Sequence, residues 1–495
     1  MGSGRDRQKV PVVRTTTAGK VGGAQYRSSG FAMWRGIPYG AAPADGGRFA
    51  GPVRPTPWDR VRPALRHGSM SWQLPPVYDK ASDVMREFDF AHTADPEHED
   101  CLNLNVYTPD PGRAGLPVLV WFHPGMQVAG SGNMPGRHPE VLSRNHGVVV
   151  VTMNFRLGCW GHLFLGDLEG LDAPDAANLR LRDQLLALTW VKENIAAFGG
   201  DDTNITVFGE SAGARNIGSV LGLDAADGLF ERAALYSGGC ENVMPRDEAT
   251  EFAREFLDRA GLTDAPERIF SVPNVHLKVA HERLLRRHEI VHYRDVVDGV
   301  HLSRTPIEAI RAGTGGKVDL LVSNTADEAG LWDRLMPGGA RVVAQGARTA
   351  ATPRERYGTD HERFINEELF LRPSRDLLRA KATSGGGRCW YQVYDYVPSD
   401  HGFADAERAL HGMDLASLLL DVSAPGAASE ADVAVARTVQ SALVDFASGR
   451  VPSAGGLTWP VYRTDTEQCV RIGRQPSVDT VVWPLDDETA AAGRP

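Results

Sequence analysis

The chain has 495 residues, of which 42% are hydrophobic and 23% charged. That is the make-up of a globular protein long enough to bury a large core without staples, and it excludes collagen-like, disordered and disulfide-scaffold chains. With 53 basic against 63 acidic residues, the formal net charge of −10 argues against a nucleic-acid partner, which calls for clustered Lys and Arg.

The five cysteines, Cys101, Cys159, Cys240, Cys389 and Cys469, are scattered and odd in number. No CxxC pair occurs, so neither a zinc ribbon nor a disulfide framework is expected. The N-terminal MGSGRDRQKVPVVRT carries charge but no apolar stretch of a signal peptide. No apolar run approaches the roughly 20 residues that cross a bilayer. The expectation is a reduced, cytoplasmic protein without membrane contact.

In chain order, short β-branched runs at 102–107, 117–122, 147–154 and 204–208 alternate with helical patterns. PVLVWF and GVVVVTMN are apolar almost throughout, as strands buried on both faces of a parallel sheet must be. Over 181–198, Leu181, Leu185, Leu188, Val191 and Ile195 recur at helical spacing, and Gly199-Gly200 supplies the stop. Alternating strands and helices predict an α/β fold with crossover connections. The second half is more helical, with amphipathic patterns at 274–287 and 430–446 and strand candidates at 319–323 and 389–394. Residues 336–356, rich in Gly, Pro and Arg, read as a surface excursion. No internal repeat and no long polar linker interrupts the chain, so 1–495 is expected to form one domain.

Residues 205–213, ITVFGESAG, run a buried strand into G-x-S-x-G and then a helix. This is the nucleophile-elbow pattern: Gly209 and Gly213 let strand and helix approach while Ser211 occupies the sharp turn. The helix beginning at Ala212 directs its N-terminal amides at the reacting centre. A serine hydroxyl needs a base, and the base needs an acid to orient it. In α/β-hydrolases the chain order is Ser, then Asp or Glu, then His. After Ser211, the strand DLLVS leads into NTADEAG (324–330), and the strand at 389–394 is followed by ALHGMD (409–414). Fifteen histidines compete for the role of base, and pattern alone does not choose His411.

Eight blocks stand in order along the chain: FAMWRGIPYGAAP, EDCLNLNVYTP, LPVLVWFHPG, VVVVTMNFRLG, NIAAFGGDDTNITVFGESAG, FERAALYSGG, NTADEAG and ALHGMD. In these the chain resembles the type-B carboxylesterases, the family that includes the cholinesterases and the catalytically dead neuroligins, over nearly its whole length. The resemblance implies an α/β-hydrolase fold: a central, mostly parallel twisted sheet flanked by helices, with helical excursions in the second half. It implies a serine carboxylic-ester hydrolase with Ser211 as nucleophile, Glu328 as acid and His411 as base. Glu210, Ser237 and Asp414 map onto supporting positions, the last a methylene shorter than the family's usual Glu. The intact triad argues against the adhesive branch. No cofactor or metal is implied, the partner is a small ester substrate, and the protein is expected as a monomer or homodimer.

Two departures matter. Where the family carries HGGGF, this chain has His123-Pro124-Gly125-Met126-Gln127, so the oxyanion donors become the amides of Gly125, Met126 and Ala212. Met126 adds a side chain where glycine left space, which predicts a crowded pocket beside the scissile carbonyl. Secreted animal relatives pair the cysteine of the EDC block with one upstream. Here that stretch reads GSMSWQ (68–73), which leaves Cys101 unpaired.

Other signals carry less. His288-Glu289-Ile-Val-His292 matches the zinc-protease pattern, but both imidazoles must share one helical face, and the segment after 287 reads as strand or loop. Arg215 lies one helical turn after Ser211. Its simpler reading is a guanidinium paired with a buried acid such as Glu210 or turned to solvent; the alternative is a contact for an acidic substrate. Trp160 and His162 read as core or pocket wall. Two further functions remain open: an acyltransferase or cyclase using the same acyl-enzyme, and a binding protein that inherited the triad.

Overall fold

The computed structural model describes residues 8–43, 47–74, 95–134, 139–288, 293–335, 338–346, 357–399, 405–424, 428–481 and 483. The strands that build the main sheet are, in chain order, β1 (Lys9–Thr16), β2 (Gly19–Tyr26), β3 (Ala32–Pro38), β4 (Asn103–Thr108), β5 (Leu116–Phe122) and β6 (Val149–Met153). They continue with β7 (Gly200–Glu210), β8 (Arg232–Tyr236), β9 (Asp319–Thr325), β10 (Cys389–Tyr394), β11 (Gln468–Ile472) and β12 (Pro476–Thr480). They lie in the order β1-β2-β3-β4-β6-β5-β7-β8-β9-β10-β11-β12, and Arg62–Pro63 pairs with β2 to complete a 13-stranded sheet. From β6 to β11 every pairing is parallel, while β1 to β4 and β12 are antiparallel.

The expected strands are all present, and their burial explains their composition. All residues of β4 and β6 are buried, because helices cover one face of the sheet and further helices and loops the other. The pattern at 181–198 forms the helix Leu179–Asn194, which tightens into a 3-10 turn, Ile195–Phe198, before Gly199. This helix is buried beyond its apolar stripe. Arg180 and Asp183 are fully buried as well, Asp183 holding Arg156 through two side-chain hydrogen bonds of 2.9 and 2.6 Å and Arg180 paired with Asp295. The helices at 274 and 430 run Asn274–His288 and Glu430–Ala447, the second opened by a capping box between Ser429 and Asp432.

One expectation is corrected within 336–356. Residues Gly339–Gly346 form a helix whose Ala340, Val343 and Ala344 are buried against the second half of the core, so 339–346 is not a surface excursion, while 336–337 and 347–356 lie outside the described residues. Its apolar residues come at helical spacing, a signal masked by the glycines around them. Residues 289–292 of the H-E-x-x-H match lie outside the described residues. All five cysteines are free and buried. Among the described residues no helix is long and apolar enough to cross a membrane.

The topology decides where a ligand can sit. From β5 the chain passes to β6 on one side and then to β7 on the other. The loops after β5 and β7 therefore diverge at the carboxyl ends of the strands, and a crevice opens between them.

Candidate active site

Around that crevice, each site segment follows a different parallel strand. The loop 123–127 follows β5, Ser211 follows β7, Ser237 follows β8, Glu328 follows β9, and His411 lies beyond β10. Ser211 sits at φ 53° and ψ −118°, a backbone region that costs a non-glycine residue about 1–3 kcal/mol. The turn is held by the Ser211 amide, which donates to the Tyr236 carbonyl at 2.8 Å, and by the Arg215 amide donating back to the Ser211 carbonyl at 3.0 Å. It also requires the two glycines: a Cβ on Gly213 would stand 2.1 Å from the carbonyl oxygen of Phe122, and one on Gly209 2.8 Å from the same atom.

The sequence-predicted triad residues come together. His411 Nε2 lies 3.0 Å from the Ser211 hydroxyl, and Nδ1 lies 2.6 Å from Glu328 Oε2. An isolated parallel bridge between Asp327 and Leu410 ties the acid loop to the histidine loop, so residues 83 apart in sequence share one geometry. Glu328 Oε1 accepts from the Thr325 amide at 2.9 Å and from Asn324 Nδ2 at 3.1 Å. Asn366 fixes the loop from behind, its Oδ1 accepting from the amides of Glu328 and Ala329 at 2.7 and 3.1 Å. The imidazole is walled by Phe370 and Trp332, with ring centroids 4.8 and 6.1 Å away.

The supporting acids shape the proton chemistry. Burial would push the Glu328 carboxyl up, but the hydrogen bond and charge of His411, with Ser237 and Asn324, hold it below its ordinary value. Burial would likewise push His411 down, yet the charge of Glu210 and the hydrogen bond and charge of Glu328 hold its pKa above the usual 6.5. Glu210 Oε1 lies 3.3 Å from His411 Nε2, so a carboxylate is in reach of a proton arriving there. Asp414, buried beside Glu210 and Glu328, is pushed up to about 8, first by burial and then by those two charges. It therefore carries a proton at neutral pH, which relieves an otherwise crowded cluster of like charge.

Gly125, Met126 and Gln127 all have positive φ, at 125°, 55° and 66°. A Cβ on Gly125 would stand 2.1 Å from the Ala129 carbonyl oxygen, so this position requires glycine. The carbonyl of Gly125 accepts from the amides of Val128 and Ala129, while the Gly125 and Met126 amides have no acceptor among the described residues. His123 braces the loop through its Nδ1, 2.8 Å from the Pro124 carbonyl, and by stacking on Phe155 at 4.3 Å.

A cleft opens over Ser211, and Met126 lines it. The side chain thus occupies space that glycine would leave open. Relative to a Met126→Gly variant, the wild type is expected to disfavour tert-butyl acetate over n-butyl acetate by roughly tenfold to a hundredfold, the cost of overpacking a bulky alcohol. Equal ratios of kcat/KM for the two proteins would sink this crowding.

Arg215 also lines the cleft. The pairing of its simpler reading does not hold: among the described residues no carboxylate lies within 4 Å of the half-buried guanidinium, which donates instead to the Leu369 carbonyl at 3.1 Å and stands over the Phe370 ring. Trp160 and His162 are core residues. Trp160 donates to Asn274 at 2.7 Å, and His162 Nε2 accepts from Arg180 at 3.0 Å. Sequence reasoning missed Asn242, Tyr293, Trp332, Val343, Leu369 and Phe370 in the cleft wall. They lie far apart in sequence and carry no local motif.

Comparison with known proteins places this geometry in a family. The profile of the carboxylesterase family matches residues 9–354. The chain is 30% identical to the para-nitrobenzyl esterase of Bacillus subtilis over 487 residues, covering 94% of this chain and 95% of that one. It is 28% identical to the liver carboxylesterase of Sus scrofa, covering 91% and 88%. Among solved structures, a Geobacillus stearothermophilus carboxylesterase superposes with a TM-score of 0.81 at 32% identity, over 97% of this chain and 99% of that one. A thermophilic PNB esterase superposes at 0.83 with 28% identity, over the same shares. With the α/β-hydrolase sheet beneath it, the chain belongs to the carboxylesterase family and is a carboxylic ester hydrolase.

Proposed function

We propose that this hydrolase works through an acyl-enzyme on Ser211. The observation that carries the reading is the unbroken hydrogen-bonded series from Ser211 Oγ through His411 to Glu328, set on a strained turn at the floor of the cleft. Ser211 Oγ attacks the ester carbonyl as His411 Nε2 takes its proton. Glu328 holds the Nδ1–H tautomer and stabilises the imidazolium, with Glu210 and protonated Asp414 behind it. The developing oxyanion receives hydrogen bonds from the amides of Gly125, Met126 and Ala212. His411 then hands its proton to the leaving alcohol, and later takes one from the water that releases the acid. Beyond the ester and water, these steps call for no cofactor or metal. The five buried free thiols fit a reducing, cytoplasmic setting, and the chain is read as one domain.

The test is product analysis with n-butyl acetate, with and without a competing alcohol or amine. Equimolar acetate and butanol, unchanged by the competitor, is the expected result. A dominant transfer product would move the reading to an acyltransferase, whose pocket excludes water.

A further inference from the structure

Arg215 stands in the cleft without a counter-charge. It is on the helix Ala212–Leu221, one turn beyond Ser211, and one of its five N–H groups has an acceptor among the described residues, the Leu369 carbonyl. The acids that act on it, Glu241, Glu328 and Glu210, do so from beyond ion-pair distance. Glu328 and Glu210 are engaged with His411.

A guanidinium half withdrawn from water without a carboxylate partner costs stability, and such a cost is retained where a ligand repays it. The planar fork of Arg215, which lines the cleft, offers what a carboxylate accepts.

We propose that Arg215 forms an anion subsite, and that the preferred substrates are carboxylic esters bearing a second, free carboxylate. This deepens the reading of Ser211 as the nucleophile and rests on it for turnover, though not for binding. Arg215 holds the anion and takes no part in bond making.

Two pairs of near-isosteric esters test it. The first is 4-nitrophenyl hydrogen glutarate against 4-nitrophenyl 5-methylhexanoate, with the charge on the acyl side. The second is 4-carboxyphenyl butyrate against 4-isopropylphenyl butyrate, with the charge on the alcohol side. Within at least one pair, Arg215→Gln is expected to lower kcat/KM for the charged ester tenfold to a hundredfold more than for its neutral partner, with Arg215→Lys retaining part of the preference. Because both esters are measured on one protein, misfolding cancels from the ratio. Charged-to-neutral ratios within twofold of wild type in both pairs overturn the subsite. Binding of the same esters to Ser211→Ala protein separates the two readings. A tenfold weaker binding of the charged ester on adding Arg215→Gln supports the subsite even if no ester is turned over, and equal binding overturns it.

Discussion

Ser211→Ala is expected to lower kcat on a simple ester by about 10⁶-fold and to abolish the single phosphonyl adduct that a fluorophosphonate leaves on the wild-type chain, read by intact mass. Alanine keeps the strained turn, the amides and the cleft. What it removes is the atom 3.0 Å from His411 Nε2. The residual activity, about 10³–10⁴-fold over water, belongs to the oxyanion amides and to binding. Because serine and histidine act as one unit, the Ser211→Ala/His411→Ala double variant is expected to lose little more than either single one. A wild-type chain that takes no adduct would mean that the Pro124-Gly125-Met126 loop closes or misaligns the site. The reading of Ser211 as a nucleophile would then fall, leaving the chain as a binding protein with an inherited triad.

Glu328→Gln is expected to cost about 10⁴-fold in kcat, with the fold intact by circular dichroism. A glutamine amide can donate to His411 Nδ1, which moves the imidazole proton to Nε2 and leaves Ser211 without a base. The pH profile adds a signature that a merely structural residue would not produce. Burial opposes protonation of His411, and Glu210 and Glu328 outweigh it, so its pKa stands above 6.5. Activity needs the neutral imidazole and therefore falls as pH drops through that raised value. With the Glu328 charge gone, one support of the imidazolium is lost, and the acid limb of kcat/KM moves to lower pH. Asp414 still carries its proton below about pH 8 and cannot replace the missing charge. A loss under tenfold with an unmoved acid limb would remove Glu328 from the orienting role.

Much of the architecture was legible because burial on both faces leaves a composition that few other arrangements produce. PVLVWF and VVVVTM are apolar almost throughout, and they are the adjacent parallel strands β5 and β6. Gly209 and Gly213 read as a close approach of strand and helix, and the Phe122 carbonyl is what they approach. The N-terminal strands were not read, because β1 alternates exposed and half-buried residues at the sheet edge and β2, GKVGGAQY, is too rich in glycine to carry a pattern. The helix Leu179–Asn194 was recognised by its apolar stripe alone. Nothing local announced that Arg180 and Asp183 would be buried too, since their partners Asp295 and Arg156 lie in other elements.

The same division holds at the site. Local sequence determined what short-range sterics demand: an elbow at Ser211, an acid at a strand's end, and a loop in which Met126 takes a glycine's place at positive φ. Only the tertiary structure decided the rest. It brought His411, out of fifteen histidines, to Ser211 and Glu328 by bridging Leu410 to Asp327, it raised the pKa of Asp414 by burying it beside two other acids, and it left Arg215 facing the cleft instead of an acid. The reason is physical. A turn or a strand is specified by neighbours along the chain, whereas charge balance and cleft chemistry depend on distances between segments hundreds of residues apart, and those exist only once the sheet has closed its register.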